Sequence, residues 1–313
     1  MFNEISIVGL GFMGASLAGA VKKKFPETKI TGYDIDKNNL DYCIFNGIID
    51  EALDMLKETA PRGSFIIMCI PPAAIFSFFE RRPDFFTGAS IVTDIGSVKA
   101  GISSIAAAKN IKNFIGSHPM CGSDKSGPKN ADFSLFNGKK CFVIQKDADL
   151  NDKEKASKIE RTADFWNSLN MDVIFSSAEN HDEIAAYTSH LPHLIAFLLS
   201  DAALSRILDE NKNNGGKNNR ENENTGDKGA GDVNISSLMS FIGSGFKDST
   251  RIADSSPELW TEILLMNAEN VIDSLDNFIN SANKVRGFIE TGDAESLNSY
   301  IKKISDERKE AGI

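Results

Sequence analysis

The chain has little of what marks a secreted, metal-bound or nucleic-acid-binding protein. Its 313 residues include four cysteines, Cys43, Cys69, Cys121 and Cys141, and no CxxC pair. That usage gives neither a disulfide framework nor a zinc site, and reads as small buried hydrophobes in a reducing compartment. Positive charge is also short: 34 Lys and Arg stand against 44 Asp and Glu, a net charge of −10. A chain this acidic has no electrostatic reason to bind nucleic acid or an anionic membrane. An anionic substrate would need a local cationic patch set against the overall field. No apolar run reaches the roughly 18–20 residues of a membrane span. The opening segment, MFNEISIVGLGFMG, lacks the basic flank and cleavage site of a secretory leader, so a cytoplasmic protein is expected. What remains, 41% hydrophobic and 25% charged residues, suits a soluble globular chain of two ordinary domains or one large one.

The first half alternates short apolar runs with amphipathic ones. Strands are expected at 5–8, 29–34, 64–70, 89–93, 113–117, 141–144 and 172–175, with helices at 14–24 and 36–45. The run SFIIMCI at 64–70 is nearly continuous in apolar residues, as in a parallel strand covered on both faces. Strand–helix alternation of this kind predicts an α/β, Rossmann-like, doubly wound parallel sheet over residues 1–177. From His181 onward the periods are helical, which predicts an all-α second domain over 178–313. Its clearest helix starts at Ser256-Pro257-Glu258, a good cap, a good first residue and an acid at the positive helix end. Trp260, Ile263, Leu264, Val271, Leu275, Phe278 and Ala282 then form one stripe, either core or subunit interface. Residues 211–232 contain a single apolar residue, Ala230, and read as a mobile inserted loop.

Gly9-Leu10-Gly11-Phe12-Met13-Gly14 fits the G-x-G-x-x-G pattern between a strand and a helix, and Asp34 lies 20 positions beyond Gly14. Gly9 permits the tight turn, Gly11 close approach of a pyrophosphate, and Gly14 packing of helix on strand. The helix N-terminus offers free N–H groups and partial positive charge to phosphates. Asp34 would accept from ribose hydroxyls and repel a 2′-phosphate, so NAD is favoured over NADP; Lys37 nearby weakens that preference.

Four further segments carry polar residues that a plain fold does not require. In DIGSVK, Ser97 either caps the next helix or aims its hydroxyl into the nicotinamide crevice. In SHPMCGSDKSG, His118 ends a strand at the edge where open α/β sheets bind ligands, and it titrates near neutrality as a general base. In SHLPH, His190 and His193 lie three apart without a third ligand nearby, which argues against a metal; one is structural and the other reaches substrate. His181 is left as structural. In GFKDSTR, Lys247 and Arg251 share a helical face and supply the missing positive charge, unless Asp248 neutralises it. Arg251 can clamp a carboxylate with two parallel hydrogen bonds.

Taken together, GLGFMG, YDID, DIGSVK, SHPMCGSDKSG, SHLPH and GFKDSTRIADSSPELW resemble, in order and spacing, the prephenate/arogenate dehydrogenase family over nearly the whole chain. The glycine loop is common to many dehydrogenases; HPMxGS with SHLPH and GFKDxTR is far more specific. The insertion at 211–232 has no expected counterpart. The resemblance implies a monofunctional, NAD-dependent enzyme of tyrosine biosynthesis that converts prephenate to 4-hydroxyphenylpyruvate, and a homodimer formed through the helical domain. It implies that His118 takes the proton of the substrate's ring hydroxyl, with Ser97 binding that hydroxyl. It implies that Arg251 binds a carboxylate and that His193, with Ser189, contacts substrate. Ser123 and Asp124 fall at the cleft mouth, and Lys247 and Asp248 order its entrance. The rival readings are an arogenate dehydrogenase, another two-domain dehydrogenase, and a catalytically silent NAD-binding dimer.

Overall fold

Burial of the alternating apolar runs on two sides of one sheet organises the first half of the chain. The computed structural model describes residues 2–53, 59–123, 125–146, 149, 151–214 and 242–312. Within them, β1 (Glu4–Val8), β2 (Lys29–Tyr33), β3 (Glu51–Ala52), β4 (Phe65–Met68) and β5 (Ile91–Asp94) form a five-stranded sheet ordered β3-β2-β1-β4-β5. Every pairing in it is parallel. All four residues of β4 are buried, as a two-sided strand requires. The crossovers are helical: α1 (Phe12–Lys24), α2 (Lys37–Phe45) and α3 (Pro72–Arg81). After β5 comes α4 (Ala100–Ala108). The strand order reverses between β1 and β4, and β1 ends at the glycine loop. Ligands of open α/β sheets sit at such a switch point.

A second sheet holds β6 (Ser117–Pro119), β7 (Lys140–Ile144) and β8 (Asp172–Ser176), with α5 (Lys153–Ser168) between the last two. Here the fold is less regular than its sequence pattern. β6 runs antiparallel to β7, and only a Val92–Phe114 bridge ties the preceding residues to β5. The connection from β6 to β7 contains a three-residue 3-10 turn, Pro128–Asn130, and no described helix able to cross over. Parallel neighbours need such a crossover. Ser117 anchors the junction of the sheets. Its hydroxyl donates to the Asp94 carbonyl at 2.7 Å and receives Trp166 Nε1 at 3.1 Å.

The helical half begins with α6 (Ala178–Ala185), capped by Ser177, whose Oγ accepts from Asn180 N at 3.1 Å. One wide π turn, Ala186–His190, then leads into α7 (Leu191–Asn214). Pro192 has no N–H for the Thr188 carbonyl, and the wide turn sits directly before it. The helix runs through 214, so the first four residues of the expected loop 211–232 are helical; 215–232 lie outside the described residues. α8 (Ser244–Thr250) passes into a 3-10 turn, Arg251–Asp254.

α9 (Pro257–Met266) starts as the sequence requires, with Ser256 Oγ accepting from Leu259 N at 3.2 Å. The long stripe does not continue in one helix. It breaks at Asn267, before α10 (Ala268–Thr291) and α11 (Ala294–Glu310). The two ends of the stripe have different fates. Trp260 and Ile263 are buried in the same cluster as Phe79 and Ile102 of the first half, so the halves share core. Farther on, Phe278, Ala282, Val285 and Ile289 line an open apolar groove with Tyr300. No described helix is long and apolar enough to cross a membrane.

Candidate functional site

The glycine loop is built to receive a phosphate group. Gly9 has φ +95°, a conformation that L side chains rarely adopt. A Cβ on Gly14 would fall on the Gly9 carbonyl, whereas a Cβ on Gly11 meets nothing within 4 Å. α1 has no side-chain cap and no acid in its first turn, so its leading N–H groups stay available. Phe12 and Met13 open that helix. Asp34 is held at the end of β2 by Leu10 N (2.7 Å to Oδ2) and Asp36 N (2.8 Å to Oδ1). These features fit a dinucleotide: an unblocked helix end for the pyrophosphate and an oriented carboxylate for a ribose. We expect Gly14→Ala to displace α1 and abolish nucleotide binding. Gly11→Ala should fold normally and lose affinity only. Thermal melting and a nucleotide titration on both variants check this.

His118 sits on β6 with 7% of its surface exposed. Its Nδ1 is 2.8 Å from Nε2 of His181, on α6, and His181 Nδ1 is 2.7 Å from Oδ1 of the adjacent Asp182. Burial first, then His181, Lys99 and His190, hold the His118 imidazole well below its ordinary pKa, so it is a neutral ring at neutral pH. A neutral buried imidazole can accept a proton. His181, expected to be purely structural, therefore reaches the candidate base directly.

Ser97 lies half-buried between β5 and α4. The local sequence makes it a candidate cap for the next helix, and the structure corrects that. α4 begins at Ala100, and Lys99 N and Ala100 N both donate to the Asp182 carboxylate at 2.8 Å. The cap comes from the helical half, which leaves the Ser97 hydroxyl free of that task. Behind it, Lys99 and Asp94 form a fully buried ion pair, and Lys99 Nζ also donates to the Ser117 carbonyl at 2.8 Å. Burial pushes the Asp94 carboxyl up, against Lys99 and the N–H groups of Gly96 and Ser117.

The SHLPH segment divides its two histidines. His190 is fully buried, and burial takes its pKa down to about 4. Its Nδ1 is 3.1 Å from Asn267 Nδ2, which also donates to the Asp182 carbonyl at 2.7 Å. Its Nε2 has no partner in good hydrogen-bond geometry, although the Ser97 carbonyl lies near enough to favour a proton there. His193 is half-buried. Its Nδ1 donates to the Ser189 carbonyl at 2.9 Å, and its ring stacks on Trp260 at 3.7 Å between centroids. Burial lowers its pKa, and Arg251 adds to that, so Arg251 is a neighbour of this ring. Lys247 and Arg251 are exposed and, among the described residues, have no ion-pair partner; the alternative of an Asp248 pair is not what the fold shows. Ser123 is exposed, its Oγ accepting from Lys125 N at 3.2 Å, and Asp124 lies outside the described residues. Among the described residues no cluster of ligating side chains could hold a metal ion.

Residues 17–175 match the nucleotide-binding domain of prephenate dehydrogenase, and residues 227–303 match its dimerization domain. The chain belongs to the prephenate dehydrogenase family. It is 29% identical to the prephenate dehydrogenase of Bacillus subtilis, over 98% of this chain and 76% of the relative. It is 28% identical to the cyclohexadienyl dehydrogenase of Zymomonas mobilis, over 98% of this chain and 96% of the relative. Among solved structures it resembles prephenate dehydrogenase from Aquifex aeolicus in complex with hydroxyphenyl propionate and NAD+. That likeness has a TM-score of 0.79 and 28% identity, over 99% of this chain and 98% of the other. The family's two domains thus account for the parallel-sheet half and the helical half. At the seam between them, sequence pattern leaves His181 as structural and does not single out Asp182 or Asn267. The signal available was meagre: a His-Asp pair on the first helix after the last strand, in a chain with only four histidines.

Proposed function

We propose that this member of the family is an NAD-dependent prephenate dehydrogenase acting in tyrosine biosynthesis. The observation that carries the reading is a buried, neutral His118 at the ligand edge of the sheet, hydrogen-bonded to the helical half. Arg251, exposed and close to His193, supplies a cation for an anionic substrate in a chain of net charge −10. Asp34 favours NAD, because a 2′-phosphate would meet its carboxylate. NAD, when bound, supplies the hydride acceptor. The glycine loop and Asp34 orient it.

Prephenate is a cyclohexadiene with a ring carboxylate, a 4-hydroxyl and a pyruvyl side chain. His118 accepts the hydroxyl proton as the C4 hydrogen leaves with its electron pair. The ring carboxylate departs as CO2, its bonding electrons complete the aromatic ring, and His118 returns its proton to the phenolate oxygen, which leaves 4-hydroxyphenylpyruvate. Ser97 holds the hydroxyl, while Arg251, His193 and Ser189 hold the substrate's other groups. Ser123 and Lys247, both exposed, are the polar groups proposed for the cleft mouth. His193 does this as a neutral ring, so carboxylate charge falls to Arg251. We keep the division into 1–177 and 178–313, and propose a homodimer that covers the groove of Phe278, Val285 and Ile289.

The testing experiment is NADH formation with prephenate and with arogenate, each with NAD and with NADP. Rapid NAD reduction with prephenate supports the reading. Turnover of arogenate alone changes the substrate and keeps the chemistry. Nucleotide binding without turnover of either substrate overturns it. Arg251→Ala should raise KM for the substrate by about 10- to 100-fold, the worth of a charge-assisted hydrogen-bond pair, and leave kcat nearly unchanged. A fall confined to kcat would remove Arg251 from binding.

A further inference from the structure

All four histidines of the chain, His118, His181, His190 and His193, gather around one corner of the site, and three of them connect through Asp182. The hydrogen bonds there leave little freedom in where the protons sit. The Asp182 carboxylate receives Lys99 N and His181 Nδ1 on Oδ1 and Ala100 N on Oδ2, at 2.7–2.8 Å. A carboxylate accepts, so His181 Nδ1 carries a proton. The other nitrogen of a neutral imidazole is then a lone pair. His181 Nε2 faces His118 Nδ1 at 2.8 Å, and a hydrogen bond between two ring nitrogens needs one donor. That donor is His118 Nδ1–H. Burial, Lys99 and His190 all press against an added proton on His118, so its Nε2 keeps its lone pair.

We propose that His181 is a positioning residue that fixes the tautomer of His118, and that Asp182 in turn fixes His181. The device rests on the reading of His118 as the base. It guarantees that the nitrogen left unprotonated is Nε2, the one directed away from His181. When Nε2 takes the hydroxyl proton, the bond from Nδ1–H to His181 becomes charge-assisted, with Asp182 as counter-charge one ring away. The surrounding charges are few: Lys99 paired with Asp94, and His190 held neutral by burial. Because Asp182 also caps α4, the same carboxylate registers the base against the segment that carries Ser97.

The test is ring-nitrogen NMR on the full chain labelled with heavy nitrogen in histidine. Only four rings contribute, and His118 is assigned from its loss in His118→Gln. The expected result is His118 protonated at Nδ1 and bare at Nε2, without substrate present. A His118 protonated at Nε2 overturns the proposal. His181→Ala should release His118 into a mixture of tautomers and lower kcat by about 10²-fold, the lower end of what a positioned base contributes. KM should hold. His181→Gln, whose amide oxygen can accept from His118, should recover part of kcat. A His118 tautomer that ignores His181→Ala, or a loss shared equally by kcat and KM with no recovery in His181→Gln, also overturns it. If His181→Ala does not fold, the spectrum of the unaltered chain still decides. The spectrum needs no substrate, so a failed prephenate assay and a failed tautomer assignment are separate results.

Discussion

His118→Ala should lower kcat with prephenate by about 10²–10⁴-fold and leave NAD affinity unchanged, because a positioned base contributes that much and the glycine loop is elsewhere. Steady-state kinetics with a nucleotide titration check both halves. An unchanged kcat would remove His118 from the chemistry. The pH profile adds a second check. A base works when deprotonated, and His118 is held well below its ordinary pKa. Activity should therefore stay level through neutrality and fall only on the acid side, and this acid limb should vanish in His118→Ala. Stability should follow the same direction. His118 and His190 have depressed folded pKa values, the latter about 4, so the folded chain resists protons that the unfolded chain takes up. Their contribution is present above the unfolded value of about 6.5 and is lost as pH falls toward the folded values.

Lys99→Met should destabilise the fold by about 3–5 kcal/mol near neutral pH, the cost of breaking a buried ion pair from one side. Both Lys99 and Asp94 are fully buried, and Lys99 Nζ also serves the Ser117 carbonyl. Met fills the volume and satisfies neither partner. The deficit should depend on pH. Without Lys99, burial raises the Asp94 pKa further above its unfolded value. A raised carboxyl is least costly below the unfolded pKa and most costly as pH rises through the folded one, so the deficit should shrink toward acid. Adding Asp94→Asn should recover part of the loss: the amide carries no charge to bury, and its single oxygen can keep one of the two N–H groups, Gly96 N or Ser117 N, that now reach different carboxylate oxygens. Urea midpoints across pH measure all of this. A deficit under about 1 kcal/mol, or one that ignores pH, would show that the pair is not the strut described.

Most of the parallel sheet was legible in the sequence, because a strand buried on both faces announces itself locally, as SFIIMCI does for β4. The glycine loop was legible for the same reason: its demands on backbone space fall within six residues. What escaped pattern reading was decided by partners far along the chain. Ser97 satisfies the local rule for a cap, yet Asp182, more than 80 residues away, holds the N–H groups of α4. The stripe from Trp260 keeps its period past Met266, yet the helix breaks at Asn267, whose side chain serves the Asp182 carbonyl and His190. His181 looks unremarkable in sequence because its partner, His118, is 63 positions earlier. The direction of β6 goes with a connection to β7 that has no described crossover helix, which no residue of β6 encodes.

Asp182 ties the two halves together at the point where chemistry is expected. Its carboxylate terminates α4, its neighbour His181 meets β6, and its carbonyl receives Asn267. Trp260 and Ile263 extend the same seam into the core of the first half. Swinging the halves apart would uncap a helix, strand a buried imidazole and open apolar core to water in one motion. A hinge at this seam would therefore be costly, and we expect ligand to reach the corner by small movements of loops at the rim rather than by separation of the halves.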